Sequence, residues 1–140
     1  MGSKSIKVLC VDDNDFVAEA IERKLRREPG FEWAGWLPDT TNLTERVRES
    51  GAEVVLLDVD IPGRDSFEAL AELSSAEPSI RVIMLSGHVR SDYIDRAVEA
   101  GAWGYLSKGE ENDVILGAIR RVAEGGFALG NEAESVYHRK

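Results

Sequence analysis

The chain has 140 residues, a length that suits one domain and is too small for two. Hydrophobic residues make up 43% and charged residues 31%, which is typical of a soluble globular domain. Its formal net charge of −9 argues against nucleic-acid binding, because phosphate backbones attract surfaces rich in lysine and arginine. A single cysteine, no signal-peptide pattern and no apolar run near the roughly 20 residues of a membrane helix predict a cytoplasmic protein without a membrane partner.

Five short apolar runs alternate along the chain with five amphipathic segments. The runs have the length of strands, and several are continuous and rich in β-branched residues, which is typical of strands buried on both faces. The runs are Ile6–Val11, Phe31–Leu37, Val54–Leu57, Val82–Leu85 and Trp103–Leu106.

The segments between the runs have the apolar spacing of helices. In the first segment, Val17, Ile21 and Leu25 recur every four residues. Gly101 and Gly125 stand where glycines would end the fourth and fifth helices. The other stripes are Leu43 and Val47; Phe67, Leu70 and Leu73; Ile94, Ala97 and Val98; and Ile115, Ala118, Ile119 and Val122.

Strand–helix alternation repeated five times predicts parallel strands joined by right-handed crossovers. The expected fold is a three-layer α/β sandwich with a five-stranded parallel sheet and five helices. We expect one domain over residues 6–126, a disordered N-terminus over residues 1–5, and a C-terminal tail or start of a linker over residues 127–140, where periodicity is lost.

Polar side chains follow four of the five predicted strands. Asp12 and Asp13 come after the first, Asp58 after the third, Ser86 after the fourth, and Lys108 closely after the fifth. Sites in open α/β sheets form outside the carboxyl ends of the strands, so we expect these groups to lie together. Only the second strand ends without an obvious functional group.

The predicted cluster suits metal-assisted phosphoryl chemistry. Three carboxylates held close together repel one another, and a hard divalent cation removes that conflict. Lys108 adds a positive charge and Ser86 a hydroxyl donor, while an aspartate such as Asp58 can accept a phosphoryl group as an acyl phosphate. Taken singly, each residue has a simpler explanation as a helix cap, loop residue or solvated charge; their joint placement favours a site.

Four stretches, in this order and spacing, resemble the receiver domain of two-component response regulators. The resemblance covers roughly Ile6 to Gly126. It implies the flavodoxin-like strand order 2-1-3-4-5. The matching stretches are residues Val8–Asp13, Val55–Gly63, Val82–Gly87 and Gly101–Lys108.

The resemblance also implies the roles of the strand-end acids. Asp58 would accept a phosphoryl group from a phosphohistidine on a sensor histidine kinase or phosphotransfer protein. Mg²⁺, or Mn²⁺ in its place, would be bound by Asp13 and Asp58 directly, by the backbone carbonyl of Asp60, and by Asp12 through water. The domain would phosphorylate and dephosphorylate itself rather than act as a turnover enzyme.

The implied switch comprises three further side chains. Ser86 would hydrogen-bond a phosphoryl oxygen, and Lys108 would pair with Asp58 and then with the phosphate. Tyr105 would turn inward when Ser86 moves. The output would be a changed surface on the fourth helix, fifth strand and fifth helix, used for homodimerisation or partner docking.

Some positions depart from the family's common pattern. Gly109 follows the lysine where many receivers have a cis-proline, and Ser66 replaces a usual glycine. Asp60 and His88 occupy positions that commonly tune dephosphorylation. The residues from Ala118 to Gly126 look most like those of receivers that precede a helix-turn-helix output domain in transcription regulation; whether such a domain follows Lys140 stays open.

Other functions remain open from the sequence. Asp58-Val59-Asp60 echoes the Asp-x-Asp motif of haloacid-dehalogenase-like phosphatases, with Asp58 as nucleophile and Asp60 as acid–base, but this leaves Asp12 and Asp13 unexplained. A degenerate receiver that binds partners without phosphorylation is a second alternative. A flavin-binding protein is disfavoured, because the acids after the first strand would repel the flavin's phosphate.

Overall fold

Six strands and six helices alternate along the computed structural model, which describes residues 5–138. The strands are β1 (Ile6–Val11), β2 (Phe31–Leu37), β3 (Val54–Asp58), β4 (Arg81–Ser86), β5 (Gly104–Ser107) and β6 (Ala128–Leu129). The helices are α1 (Asp15–Arg27), α2 (Leu43–Ser50), α3 (Ser66–Ala76), α4 (Ser91–Glu99), α5 (Asn112–Ala123) and α6 (Asn131–His138). The predicted disordered N-terminus lies outside the described residues, except for Ser5.

The sheet is parallel, with strand order β2-β1-β3-β4-β5-β6. The predicted order 2-1-3-4-5 is therefore confirmed, with one further strand at the β5 edge. Helices α2, α3 and α4 pack on one face of the sheet and helices α1 and α5 on the other, which confirms the three layers. None of the helices described over residues 5–138 combines the length and apolar character needed to span a bilayer.

The central strands are buried on both faces, as their continuous apolar runs indicated. Val55 and Leu57 of β3 face the α2–α4 layer, whereas Val54 and Leu56 face α1 and α5. All four are fully buried. At roughly 1.5–3 kcal/mol for each buried aliphatic side chain, β3 is a principal source of stability and a rigid base for Asp58 at its end.

Cys10 of β1 belongs to this core. Its side chain is fully buried, and burial together with the nearby charge of Asp12 raises the pKa of its thiol to about 12. Because the thiolate is the reactive form of cysteine, this side chain stays protonated and unreactive at neutral pH. The interpretation of Cys10 as a packing residue fits these surroundings.

Residues 128–138, expected as a tail or the start of a linker, form a sixth strand and a sixth helix, one of each more than the five expected. The backbone of β6 pairs with β5, since Ala128 N–H donates to the Trp103 carbonyl at 3.0 Å and Gly130 N–H to the Tyr105 carbonyl at 3.0 Å. Helix α6 then buries Ala133 completely. A two-residue strand and an eight-residue helix carry too little periodicity to be found from sequence.

Helix ends agree with local sequence signals. The side chain of Asn14 accepts hydrogen bonds from the backbone N–H groups of Phe16 and Val17 and caps α1. Gly101 and Gly125 follow α4 and α5 with φ of +105° and +96°, a left-handed conformation that glycine adopts without strain. Both predicted helix ends are confirmed.

Candidate functional site

The register of the sheet brings the strand ends to one edge. Val11 pairs with Leu57, and Asp58 at the end of β3 pairs with Leu85. Ser86 at the end of β4 pairs with Ser107 at the end of β5. The groups that follow β1, β3, β4 and β5 therefore share one rim of the sheet, as predicted.

Lys108 bridges two buried carboxylates at this rim. Its ammonium Nζ lies 2.9 Å from Asp12 Oδ2 and 3.2 Å from Asp58 Oδ1. Asp12 and Asp58 are 0% and 1% exposed, whereas the Lys108 side chain is 23% exposed. The expected contact with Asp58 is present, but the contact with Asp12 is shorter, so the lysine balances both acids.

Backbone groups hold the two carboxylates in place. Asp12 Oδ1 accepts a hydrogen bond from the Asn14 N–H at 2.9 Å, and Asp58 Oδ1 accepts one from the Asp60 N–H at 3.0 Å. Each bond closes a tight turn directly after a strand. The turns fix the orientation of the carboxylates before anything binds.

The end of β2 also contributes to the site, although no functional group was expected there. The indole N–H of Trp36 donates a 2.6 Å hydrogen bond to the backbone carbonyl of Asp12. Trp36 pairs in register with Cys10 on the neighbouring strand. The sequence does place a tryptophan near the end of a strand beside the acidic rim. Because a buried indole N–H needs an acceptor, this residue could have indicated a contact with the rim.

The electrostatics of the rim are dominated by excess negative charge. One carboxylate oxygen from each of Asp12, Asp13 and Asp58 lies within 4.8 Å of the other two, and Asp13 is exposed. Burial raises the pKa of Asp58, reinforced by the Asp12 charge and opposed by the Asp60 N–H and Lys108. Although burial opposes it, the Asp12 and Asp58 carboxylates raise the pKa of Lys108, which keeps the ammonium charged.

These residues fit a hard divalent cation. Three carboxylates and one ammonium leave two negative charges when all are ionised, and oxygen ligands are those that Mg²⁺ and similar ions prefer. The exposed Asp13 gives the cluster an open side toward solvent. The acidic cluster is therefore one that can hold a metal ion.

Replacing Asp58 with asparagine is expected to raise the free energy of unfolding by on the order of 1 kcal/mol in metal-free buffer. Burial makes the ionised carboxylate costly, and Lys108 would still face Asp12. Urea unfolding of both proteins at neutral pH measures the difference. A less stable Asp58→Asn protein would show that the Lys108–Asp58 contact outweighs the cost of burying the charge.

Ser86 and Tyr105, predicted as switch residues, lie in neighbouring strands. The Ser86 hydroxyl donates to the His88 carbonyl at 2.6 Å and accepts from the His88 N–H at 3.0 Å, so it bonds its own loop. Tyr105 is only 1% exposed, and its hydroxyl makes no well-formed hydrogen bond among the described residues, although the Ser86 hydroxyl lies near enough to lower its pKa against the effect of burial. Burial raises the pKa of Tyr105 to about 12. The ring thus already points inward in this structure.

Asp60 and His88, predicted to tune dephosphorylation, both have exposed side chains. Each lies two residues beyond a rim residue, Asp58 and Ser86 respectively, and its backbone N–H donates to that residue's side chain. Both residues lie in the loops that follow β3 and β4. They do not join the buried Lys108 contacts.

The loop between β3 and α3 is held by a threonine that precedes α2 in the sequence. Thr40 is fully buried; its hydroxyl accepts from the Arg64 N–H at 2.9 Å and donates to the Arg64 carbonyl at 3.2 Å. Gly63 has φ of +102°, and a Cβ there would lie 2.8 Å from the Thr40 hydroxyl. Ser66 donates a 2.6 Å hydrogen bond to the Val59 carbonyl. These contacts fix the loop that follows Asp58.

Comparison with known proteins extends the resemblance. The family described as the response regulator receiver domain matches residues 8–120. The chain is 35% identical over 120 residues to the response regulator GacA of Pseudomonas aeruginosa, which covers 86% of this chain and 56% of GacA. It is 31% identical over 126 residues to the transcriptional regulatory protein DegU of Brevibacillus brevis, which covers 90% of this chain and 53% of DegU. The chain therefore spans about half the length of these relatives.

The fold is also shared with solved structures. The crystal structure of a two-component response regulator of the LuxR family from Aurantimonas sp. SI85-9A1 superposes with a TM-score of 0.90, covering 97% of each chain. At 24% identity this likeness shows the fold. It extends over nearly the whole chain, and so beyond the residues matched by the family.

Proposed function

Since the chain belongs to the response regulator receiver domain family, we propose that it is a switch in which Asp58 accepts a phosphoryl group from a phosphohistidine. The donor would be a sensor histidine kinase or a phosphotransfer protein. The observation that carries this proposal is the bridge from Lys108 to Asp12 and Asp58, because it places a fixed carboxylate beside a cation at the rim of the sheet.

The transfer requires an ionised and oriented Asp58. A carboxylate oxygen of Asp58 attacks phosphorus, the bond from phosphorus to the histidine nitrogen breaks, and that nitrogen leaves with the electron pair. Lys108 opposes the rise in the pKa of Asp58 that burial causes, and it can then pair with a phosphoryl oxygen. Positioning and charge neutralisation of this kind account for most catalysis of phosphoryl transfer.

A divalent cation, Mg²⁺ or Mn²⁺, would be bound by Asp13 and Asp58, the backbone carbonyl of Asp60, and Asp12 through water. The proximity of the three carboxylates supports this ligand set. When bound, the cation would neutralise charge that develops on the phosphoryl oxygens.

Readout of the phosphoryl group would involve Ser86, Lys108 and Tyr105. The Ser86 hydroxyl would leave its His88 contacts for a phosphoryl oxygen, and the inward Tyr105 ring would be stabilised. The altered surface would be α4, β5 and α5 of the domain over residues 6–126. We infer homodimerisation or docking of an output partner there.

The wider role would be transcription regulation from the cytoplasm. DegU is named a transcriptional regulatory protein, and this chain corresponds to about half of it. A helix-turn-helix output domain would receive the signal. The exposed Asp60 and His88 would tune the lifetime of the phosphorylated form, and the domain would act as an acceptor rather than a turnover enzyme.

The proposal predicts metal-dependent phosphorylation by a small donor. With acetyl phosphate and Mg²⁺, the intact mass should increase by one phosphoryl group, and EDTA should abolish the increase because the acidic rim then lacks its cation. Intact-mass spectrometry over a time course measures both. Equal adduct with Mg²⁺ and with EDTA, or none in either, would refute the proposed metal-assisted chemistry.

A further inference from the structure

Helix α6 begins against the loop that carries Lys108. The carboxylate of Glu110 accepts a 3.1 Å hydrogen bond from the backbone N–H of Glu132, in the first turn of α6. A Cβ on Gly130 would lie 3.1 Å from both the Glu110 carboxyl carbon and the Leu106 side chain. The approach of the two segments is therefore close, and Glu110 supplies an acceptor to a helix N–H that has no partner within its helix.

The loop between Lys108 and Glu110 is short and firmly held. The Lys108 N–H donates to the Ser86 carbonyl at 2.9 Å, and the Glu110 N–H donates to the Ser107 carbonyl at 3.1 Å. The Gly109 N–H donates to the Ser107 hydroxyl at 3.0 Å. Only Gly109 separates the lysine from the glutamate, so a shift of the Lys108 backbone also displaces Glu110.

The first turn of α6 also faces the loop that follows Ser86. A cavity of about 440 Å³ is lined by Gly87, His88, Arg90 and Tyr93 of this loop and the start of α4, and by Glu132 of α6. The start of α6 thus lies between two loops that leave the site rim. The loops that follow Ser86 and Lys108 both contact the start of α6, so a rearrangement of either residue can reach this helix.

Helix α6 in turn shapes the surface beside β5 and α4. Its Ala133 is fully buried in the core cluster that also contains Ile94 of α4 and Tyr105 of β5. An open groove of about 740 Å³ runs between α4, α5 and the C-terminal segment, with Val98 and Phe127 partly exposed along it. A change in the position of α6 would alter this groove.

We propose that Glu110 couples occupancy of the Asp58 site to the position of α6, an inference that rests on the function proposed above. Lys108 spans Asp12 and Asp58 in the unphosphorylated protein. When it turns to a phosphoryl oxygen, its loop shifts, the contact from Glu110 to Glu132 weakens, and the first turn of α6 loosens. Glu110 is therefore a positioning residue that touches neither the metal nor the phosphoryl group.

Hydrogen exchange of the peptide over residues 130–138, with and without acetyl phosphate and Mg²⁺, tests this coupling, while intact mass records the adduct. Phosphorylation should make exchange in α6 roughly fivefold faster in the wild type, the effect expected from loss of a helix cap. Glu110→Ala should exchange at the faster rate already when unmodified, with no further response. Glu110→Gln keeps an acceptor oxygen and should restore the response.

Glu111→Ala is the matched control, because Glu111 is the next residue and its side chain is exposed. It should behave as the wild type does. If the adduct forms but α6 exchange stays unchanged, or Glu110→Ala responds like the wild type, the coupling is refuted and the phosphoacceptor function stands. Absence of any adduct would instead refute that function and the coupling with it.

Discussion

Replacing Lys108 with alanine is expected to lower the free energy of unfolding by roughly 3 kcal/mol at neutral pH, the lower end of the range for breaking a buried ion pair. The variant leaves Asp12 and Asp58 buried, and within residues 5–138 no other cationic side chain lies within ion-pair distance of either carboxylate. Urea unfolding in metal-free buffer measures the loss. The result would establish Lys108 as the residue that makes the acidic rim compatible with folding.

The loss should depend on pH and on metal. The pKa of Asp58 is already raised in the folded protein, so folding favours the protonated carboxyl. The stability that this protonated form contributes is present at low pH and is lost as the pH rises through the raised pKa. The deficit of Lys108→Ala should therefore be small in acid and large at neutral pH. Mg²⁺ should stabilise the variant more than the wild type, since it replaces the missing positive charge.

Lys24→Ala is the matched control for this variant. Lys24 is 30% exposed and lies 3.8 Å from Glu28 and 4.0 Å from Asp113, contacts of the surface type. Its removal should change the free energy of unfolding by about 0.5 kcal/mol or less. Equal losses for the two lysine variants, with no effect of Mg²⁺ on either, would contradict the assigned role of Lys108.

Tyr105→Phe is expected to raise the free energy of unfolding by about 1 kcal/mol, because it removes a buried hydroxyl that makes no well-formed hydrogen bond within residues 5–138. The ring itself stays in place, since phenylalanine fills almost the same volume in the cluster around Met84 and Ile94. Urea unfolding of the unphosphorylated protein measures this gain. It would show that burial of the Tyr105 hydroxyl destabilises the fold, and that a hydrogen-bond partner would reduce this destabilisation.

Tyr93→Phe provides the comparison. Tyr93 is half-buried, and its ring contacts Phe67 and lies under the Arg90 guanidinium. Loss of its hydroxyl should leave stability within about 0.5 kcal/mol of the wild type. A Tyr105→Phe protein less stable than the wild type would mean that the Tyr105 hydroxyl makes a favourable hydrogen bond in solution.

Most of the sheet and rim could be predicted because both follow from local pattern. Continuous apolar runs such as Val54–Leu57 determine where strands lie, and parallel strands deliver the next residues to one edge. The same pattern places Asp12, Asp58 and Lys108 at one rim of the sheet. Their metal and phosphoryl roles stay predictions that the geometry supports.

The remaining features depend on contacts that have no local signature. The bond from Trp36 to the Asp12 carbonyl and the clamp of Thr40 on Arg64 join loops that lie far apart in sequence. The segment after residue 126 was expected to be a tail, because β6 and α6 gain their order from the edge of β5 and from Glu110 rather than from their own pattern. Tertiary contacts of this kind are visible only in the folded chain.

The central claim is that Asp58 is the phosphoacceptor, and phosphopeptide mapping after incubation with acetyl phosphate and Mg²⁺ tests it most directly. The wild type and Asp113→Asn, a control at an aspartate of α5 that is 90% exposed and lies outside the rim, should each gain one phosphoryl group on Asp58. Asp58→Asn should gain none. An undiminished adduct on Asp58→Asn, or no adduct on the wild type, would contradict the claim.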